Sequence, residues 1–186
     1  LVFRISGLTA ILFWLGTAFF SEGIMGFFTN EPELVKMGSE YLRFVGLSYL
    51  LSAVSQVYLT FMKNSNAVNL STAISSTTVV LNIVFNAVFI FGLFGVPAMG
   101  IRGAAIATVL ATGIQAVWCI IYTAVKRKQL EIRLWKTSGD LKERFWEKVW
   151  PVLLNELIWG GGFTMYSVIM GHLGTDAVAA NSIANI

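Results

Sequence analysis

The sequence predicts an all-α, polytopic transmembrane helix bundle. Its residues are 56% hydrophobic and only 12% charged, with a mean hydropathy of +0.72. Soluble domains carry about 25% charged residues, so this chain has too little polar surface to cover a water-facing globule. Long apolar runs recur along the chain, and a helix of about 20 apolar residues crosses the hydrocarbon core of a bilayer. The lipid bilayer is therefore the expected surroundings.

Six apolar runs account for most of the chain. The predicted spans are residues 5–28, 38–62, 70–94, 101–125 and 149–170, and a sixth begins after Gly174. Most of the polar turns between them are short, so neighbouring helices are expected to be antiparallel. The chain begins without methionine and ends inside the sixth run, so we expect it to be a fragment of a longer protein.

One long polar segment, residues 126–148, separates the fourth and fifth spans. Leu141, Phe145 and Val149 recur every four residues within or next to it and would form one apolar face of a short helix. A helix with such a face and a basic opposite face is typical of the membrane surface. We expect this segment to join two halves of the protein.

The distribution of basic residues predicts the orientation in the membrane. Segment 126–148 holds eight of the 13 lysine and arginine residues, and Arg4 and Lys63 fall on the same side, against three residues on the other side. Because cytoplasmic loops collect basic residues, the side with ten is expected to be cytoplasmic. The positive charge is a local patch and not a basic domain, so no nucleic-acid partner is expected.

Glu156 is the most informative polar residue, because it lies about five residues inside the fifth span, next to Asn155. A carboxylate at that depth costs a few kcal/mol unless it is paired, protonated or faces water. An apolar environment favours its neutral form, so the group could take up and release a proton. A structural hydrogen bond between helices is the alternative.

Asn82 and Asn86 lie four residues apart, on one face of the third span, and Thr108 in the fourth span is a weaker polar signal. Such side chains either hold transmembrane helices together or line polar pathways, and the spacing leaves both open. No sequence motif of an enzyme centre is present. Cys119 is the single cysteine, so neither a disulfide within the chain nor a cysteine metal site is expected.

Four segments resemble multidrug and toxic compound extrusion (MATE) transporters. Residues 100–109 (Gly-Ile-Arg-Gly-Ala-Ala-Ile-Ala-Thr-Val), with Pro97 upstream, are similar to the start of the family's sixth helix. Residues 173–180 (Leu-Gly-Thr-Asp-Ala-Val-Ala-Ala) resemble the turn between the seventh and eighth helices. Residues 81–92 resemble the fifth helix, and residues 150–159 resemble the seventh helix of bacterial members. These segments follow the family's order.

The resemblance implies that the chain covers about family helices three to eight of a twelve-helix, two-lobe transporter. Residues 1–125 would be four helices of the amino-terminal lobe, residues 126–148 the cytoplasmic linker, and residues 149–186 the first two helices of the carboxy-terminal lobe. Such proteins exchange protons or sodium ions for drugs and other small organic compounds across the plasma membrane. A lipid-linked oligosaccharide flippase of the same superfamily and a non-transporting membrane scaffold subunit are the alternatives.

One departure from the family changes the expected coupling. Many members have an aspartate where this chain has Asn86, and that aspartate helps to form a cation site with a threonine that resembles Thr108. An amide cannot titrate, although its oxygen can coordinate sodium. The resemblance therefore shifts ion coupling to Glu156, which is similar in position to a carboxylate of some relatives. Asn82, Asn86, Thr108 and Asn155 remain candidates for lining a cation or substrate site.

Overall fold

The computed structural model describes residues 1–65, 67–125 and 139–184. Within those ranges the helices are α1 (Val2–Phe19), α2 (Ser21–Phe28), α3 (Pro32–Asn64), α4 (Val68–Phe91), α5 (Ile101–Val125), α6 (Gly139–His172) and α7 (Thr175–Ala184). A short 3₁₀ turn, Leu93–Gly95, follows α4. Five of the described helices, namely α1, α3, α4, α5 and the Lys142–His172 part of α6, are long and apolar enough to cross a membrane. The predicted all-α membrane bundle is confirmed.

The first predicted span, residues 5–28, is two helices and not one. Phe20 separates them, with φ −118° and ψ 19°. Ser21 and Glu22 then open α2, where an acidic side chain in the first turn interacts favourably with the helix dipole. The Ser21 hydroxyl accepts a hydrogen bond from Arg43 Nε on α3 at 2.9 Å. The polar residues inside this apolar run therefore mark a new helix start.

The predicted surface helix and the fifth predicted span are joined in one helix. We expected a separate amphipathic helix within residues 126–148, whereas α6 runs without a break from Gly139 to His172, with Pro151 inside it. A proline removes one backbone hydrogen bond, but two separate helix ends near the membrane would leave more backbone groups without partners. Residues 126–138 of the predicted linker lie outside the described residues.

The described parts of Leu1–Ser21 and Ser39–Leu134 form one compact unit. Its core contains Leu59 and Met62 of α3, Ile74 of α4 and Cys119 of α5, all at most 3% exposed. In this unit α4 packs along α5. The close contact of these two helices positions the polar side chains described below.

The second unit consists of the described parts of Glu22–Gly38 and Trp135–Ile186. In this unit α6 packs against α7, and Gly174, with φ +106°, forms the turn between them. Only glycine adopts that conformation easily. Gly171 lies so close to the Phe28 carbonyl oxygen that any side chain at this position would collide with it.

Candidate functional site

Three of the predicted site residues meet between α4 and α5. The Asn86 side-chain amide donates to both the backbone oxygen and Oδ1 of Asn82, each at 2.9 Å. The Asn82 amide in turn donates to Thr108 Oγ1 on α5, at 3.4 Å. All three side chains are half-buried. The predicted shared face of Asn82 and Asn86 is therefore present, and Thr108 lies opposite it.

Small residues at the α4–α5 turn make this meeting possible. A Cβ atom added to Gly103 of α5 would lie 2.5 Å from the Phe89 carbonyl oxygen of α4, so glycine allows the backbones to approach. The Met99 backbone N–H donates to the same Phe89 oxygen at 2.9 Å. Gly92 ends α4 in the left-handed conformation, with φ +73°. The turn therefore fixes the register that places Asn82 beside Thr108.

The hydrogen bonds of this cluster run in one direction. Asn86 donates to Asn82, Asn82 donates to Thr108, and the Thr108 hydroxyl donates to the Ala104 backbone oxygen at 3.0 Å. The cluster joins the two helices through uncharged groups, as polar residues commonly do inside membranes. Its amide and hydroxyl oxygens are hard ligands of the kind that bind cations such as Na⁺ without a change of protonation.

The other two predicted residues, Asn155 and Glu156, are neighbours on α6 in the second unit, and both are exposed there. Glu156 is the only acidic or basic side chain among residues 150–171, all of which the structure describes. It begins a row on one helix face, because positions three, seven and ten residues further on share that face. Trp159, Phe163 and Tyr166 occupy those positions.

The aromatic members of this row contact one another and reach α7. The rings of Trp159 and Phe163 stack with their centroids 5.5 Å apart, and the Phe163 and Tyr166 rings are 6.5 Å apart. The Tyr166 hydroxyl donates to Asn181 Oδ1 on α7 at 2.6 Å. A carboxylate followed by aromatic faces offers a cation both a charge and ring surfaces. The spacing of this row is visible in the sequence, but Glu156 is the only one of its members that the sequence predicts as a site residue.

An ion pair joins α5 to α3 in the first unit. Arg102, in the first turn of α5, contacts the Glu40 carboxylate on α3. Both side chains are exposed, and the basic-residue count puts them on the predicted outer side. Solvent screens such a pair, so we assign it a role in local helix packing and not in coupling.

Sequence analysis also overlooked a row of uncharged polar residues on α3. Tyr49, Ser52, Gln56 and Thr60 follow one another at intervals of three or four residues, which places them on one helix face. The spacing of this row is visible in the sequence, but the row contains neither a charge nor an asparagine pair. In the structure this face borders a groove beside α1.

The family model and the relatives found by comparison with known proteins agree with one another. The MatE family model matches residues 1–88. A probable multidrug resistance protein NorM of Rhizobium meliloti is 30% identical over 189 residues, covering 95% of this chain and 38% of that protein. The proteins of the same name from Thermotoga maritima and Agrobacterium fabrum are 25% and 24% identical, covering 88% and 94% of this chain and 36% and 39% of those proteins. The chain thus spans about two fifths of the length of these relatives. No solved structure matches the chain.

Proposed function

We propose that this chain belongs to the multidrug and toxic compound extrusion family and works in a cation-coupled antiporter that exports drugs or other organic compounds. It is a multi-pass protein of the plasma membrane. The relatives that align with most of the chain are named as probable multidrug resistance proteins, which supports efflux of small organic molecules. Transport and not catalysis is the activity that this family suggests.

The observation that carries the coupling proposal is the position of Glu156. It lies six residues beyond Trp150, about 9 Å further along the helix axis, in a stretch of α6 without another acidic or basic side chain. A carboxylate in such a place in a membrane is a functional residue by default, because a charge at that depth in the bilayer is expensive. Asn155 next to it adds an amide oxygen that can contribute to the same site.

Antiport follows from competition for this carboxylate. A coupling ion, either a proton or sodium, and an organic cation would each neutralise Glu156, so the two would not bind it together. If each occupant favours a different access state of the transporter, the ion gradient drives export of the organic compound. The aromatic row beyond Glu156 provides ring surfaces for the organic part of the substrate.

The amide cluster of α4 and α5 has a supporting role in this scheme. Asn86 carries no titratable group, so a proton cannot be exchanged there. Asn86 commits its amide donor to Asn82, which leaves amide and hydroxyl oxygens as the coordinating groups. We assign Asn82, Asn86 and Thr108 to helix packing and to coordination of a sodium ion or a polar substrate group.

Efflux from proteoliposomes tests the proposal. The intact transporter is reconstituted with ethidium inside, and its release is followed by fluorescence after a proton gradient or a sodium gradient is imposed separately. We expect one of the two gradients to drive release, and an ionophore that collapses this gradient to stop it. Release that is equally fast with no ion gradient would reject cation coupling.

A further inference from the structure

The contact between α1 and α3 has two sides of different chemistry. The line of contact passes through Ser6 of α1, whose hydroxyl donates to the Ala53 backbone oxygen of α3 at 3.5 Å. On one side an apolar cleft of about 210 Å³ is lined by Phe3, Gly7, Ala10, Ile11, Leu50, Ala53 and Val54. The other side is a groove with a polar lining. Both helices are membrane spans by length and composition, so an apolar wall is the ordinary surface and the polar wall requires an explanation.

This polar groove is built by regular rows on both helices. Its polar lining residues are Ser6 and Thr9 of α1 and Tyr49, Ser52, Gln56, Thr60 and Asn64 of α3. From Tyr49 to Thr60 the α3 row covers 12 residues, a rise of about 16 Å along the axis. Two neighbouring openings of about 570 and 400 Å³ share Ser6 and Gln56. Each lies in the size range of about 300–1,000 Å³ that small-molecule sites occupy.

Several groove residues have side-chain hydrogen-bonding groups that no described residue satisfies. Ser52, Gln56 and Thr60 make no side-chain hydrogen bond to any residue that the structure describes, and Gln56 and Thr60 are exposed. Lipid tails cannot satisfy an amide or a hydroxyl, and leaving one without a partner in an apolar medium is costly. A helix contact in a membrane is typically made by small residues with few polar ones. A continuous row that includes glutamine and tyrosine has more polar groups than a helix contact requires.

We propose that the polar groove between α1 and α3 binds the exported compound through neutral hydrogen bonds. Its occupant is an organic molecule with amino, hydroxyl or carbonyl groups on an aromatic body, which the rings of Phe13 and Tyr49 contact. None of the described residues that line the groove is charged, so this site selects hydrogen-bonding groups and leaves charge to Glu156. This inference rests on the proposed export function and adds a second determinant of specificity.

Matched cysteine pairs test whether the groove is open to water. Thr9→Cys and Gln56→Cys lie in the polar groove, and Ile11→Cys and Val54→Cys, two residues away on the same helices, lie in the apolar cleft. In nanodiscs of the intact, otherwise cysteine-free transporter, a water-soluble methanethiosulfonate should label the first pair much faster, and ethidium should slow that labelling. Equal labelling of both pairs, or none of the groove pair because another helix covers it, would overturn the inference.

Substrate chemistry provides the second test. Gln56→Leu keeps the approximate side-chain size and removes the amide, so the KM for ethidium, which carries two amino groups, should rise about two- to tenfold through loss of one hydrogen bond. The KM for tetraphenylphosphonium, a cation without hydrogen-bonding groups, should not change. A wild-type protein that exports neither probe would reject the export function. A wild-type exporter whose two KM values are unchanged by Gln56→Leu would reject only the groove.

Discussion

Replacing Gly103 by alanine places a methyl group against the backbone of α4. The added Cβ atom would lie 2.5 Å from the Phe89 carbonyl oxygen and 2.7 Å from its carbonyl carbon. Both atoms belong to the backbone, so α5 has to move away from α4 to relieve the overlap. Overpacking of this kind costs about 1–3 kcal/mol, while exchanging glycine for alanine within a helix returns about 0.8–1.0 kcal/mol.

Gly113→Ala is the matched control on the same helix. A Cβ atom at Gly113 has its nearest neighbour, Leu51 Cδ1, at 3.7 Å, an ordinary van der Waals contact. This variant should keep the helix-propensity gain without the overlap. The free energies of unfolding of Gly113→Ala and Gly103→Ala should therefore differ by about 1–3 kcal/mol, with Gly103→Ala the less stable.

Thermal unfolding of both variants of the intact protein in one detergent, followed by tryptophan fluorescence, measures this difference. A second readout concerns the Asn82–Thr108 hydrogen bond, which at 3.4 Å is already long. If α5 moves, that bond is lost, and adding Thr108→Val to Gly103→Ala should lower stability less than adding it to the wild type. Equal melting temperatures for the two alanine variants would refute this account of α4–α5 packing.

Three further predictions concern the cluster, the ion pair and the topology. Asn86→Ala should destabilise the protein by about 0.5–1 kcal/mol and leave the pH dependence of transport intact; transport that loses its pH dependence would contradict the packing role. Glu40→Gln breaks the ion pair with Arg102 but should leave the melting temperature nearly unchanged at high salt, because solvent screens the pair. In intact cells an impermeant thiol reagent should label Glu33→Cys and spare Ser65→Cys in a cysteine-free background, and the reverse would invert the topology.

Much of the fold was predictable because proline, glycine and polar residues mark many of the helix boundaries in the sequence. The start of α5 at Ile101 matches the prediction, since Pro97 and Gly100 precede this helix. The break at Phe20 was missed because Ser21 and Glu22 are only two polar residues in an apolar run. The continuity of α6 was missed because Pro151 and the charged residues before it suggested a boundary, whereas the helix passes through both.

The candidate site was predictable in part for similar reasons. The spacing of Asn82 and Asn86 placed them on one face, but spacing cannot say which residue of another helix lies opposite. The pairing of Thr108 with this face came from the family resemblance. Contact between α4 and α5 depends on the close approach at Gly103, which is a tertiary property. The spacing of three or four residues was enough to recognise the row from Tyr49 to Thr60 as one helix face. Its proposed role in binding depends on the groove that α1 forms beside it.

The central claim, ion coupling at Glu156, is tested most directly by gradient-driven ethidium efflux from proteoliposomes of Glu156→Gln. This variant keeps the side-chain shape and removes the charge, so insertion and folding should survive. Glu147→Gln makes the same chemical change in the polar beginning of α6 and serves as the control. We predict that efflux driven by the ion gradient is lost in Glu156→Gln and retained in Glu147→Gln. Wild-type rates and ion dependence in Glu156→Gln would contradict the account.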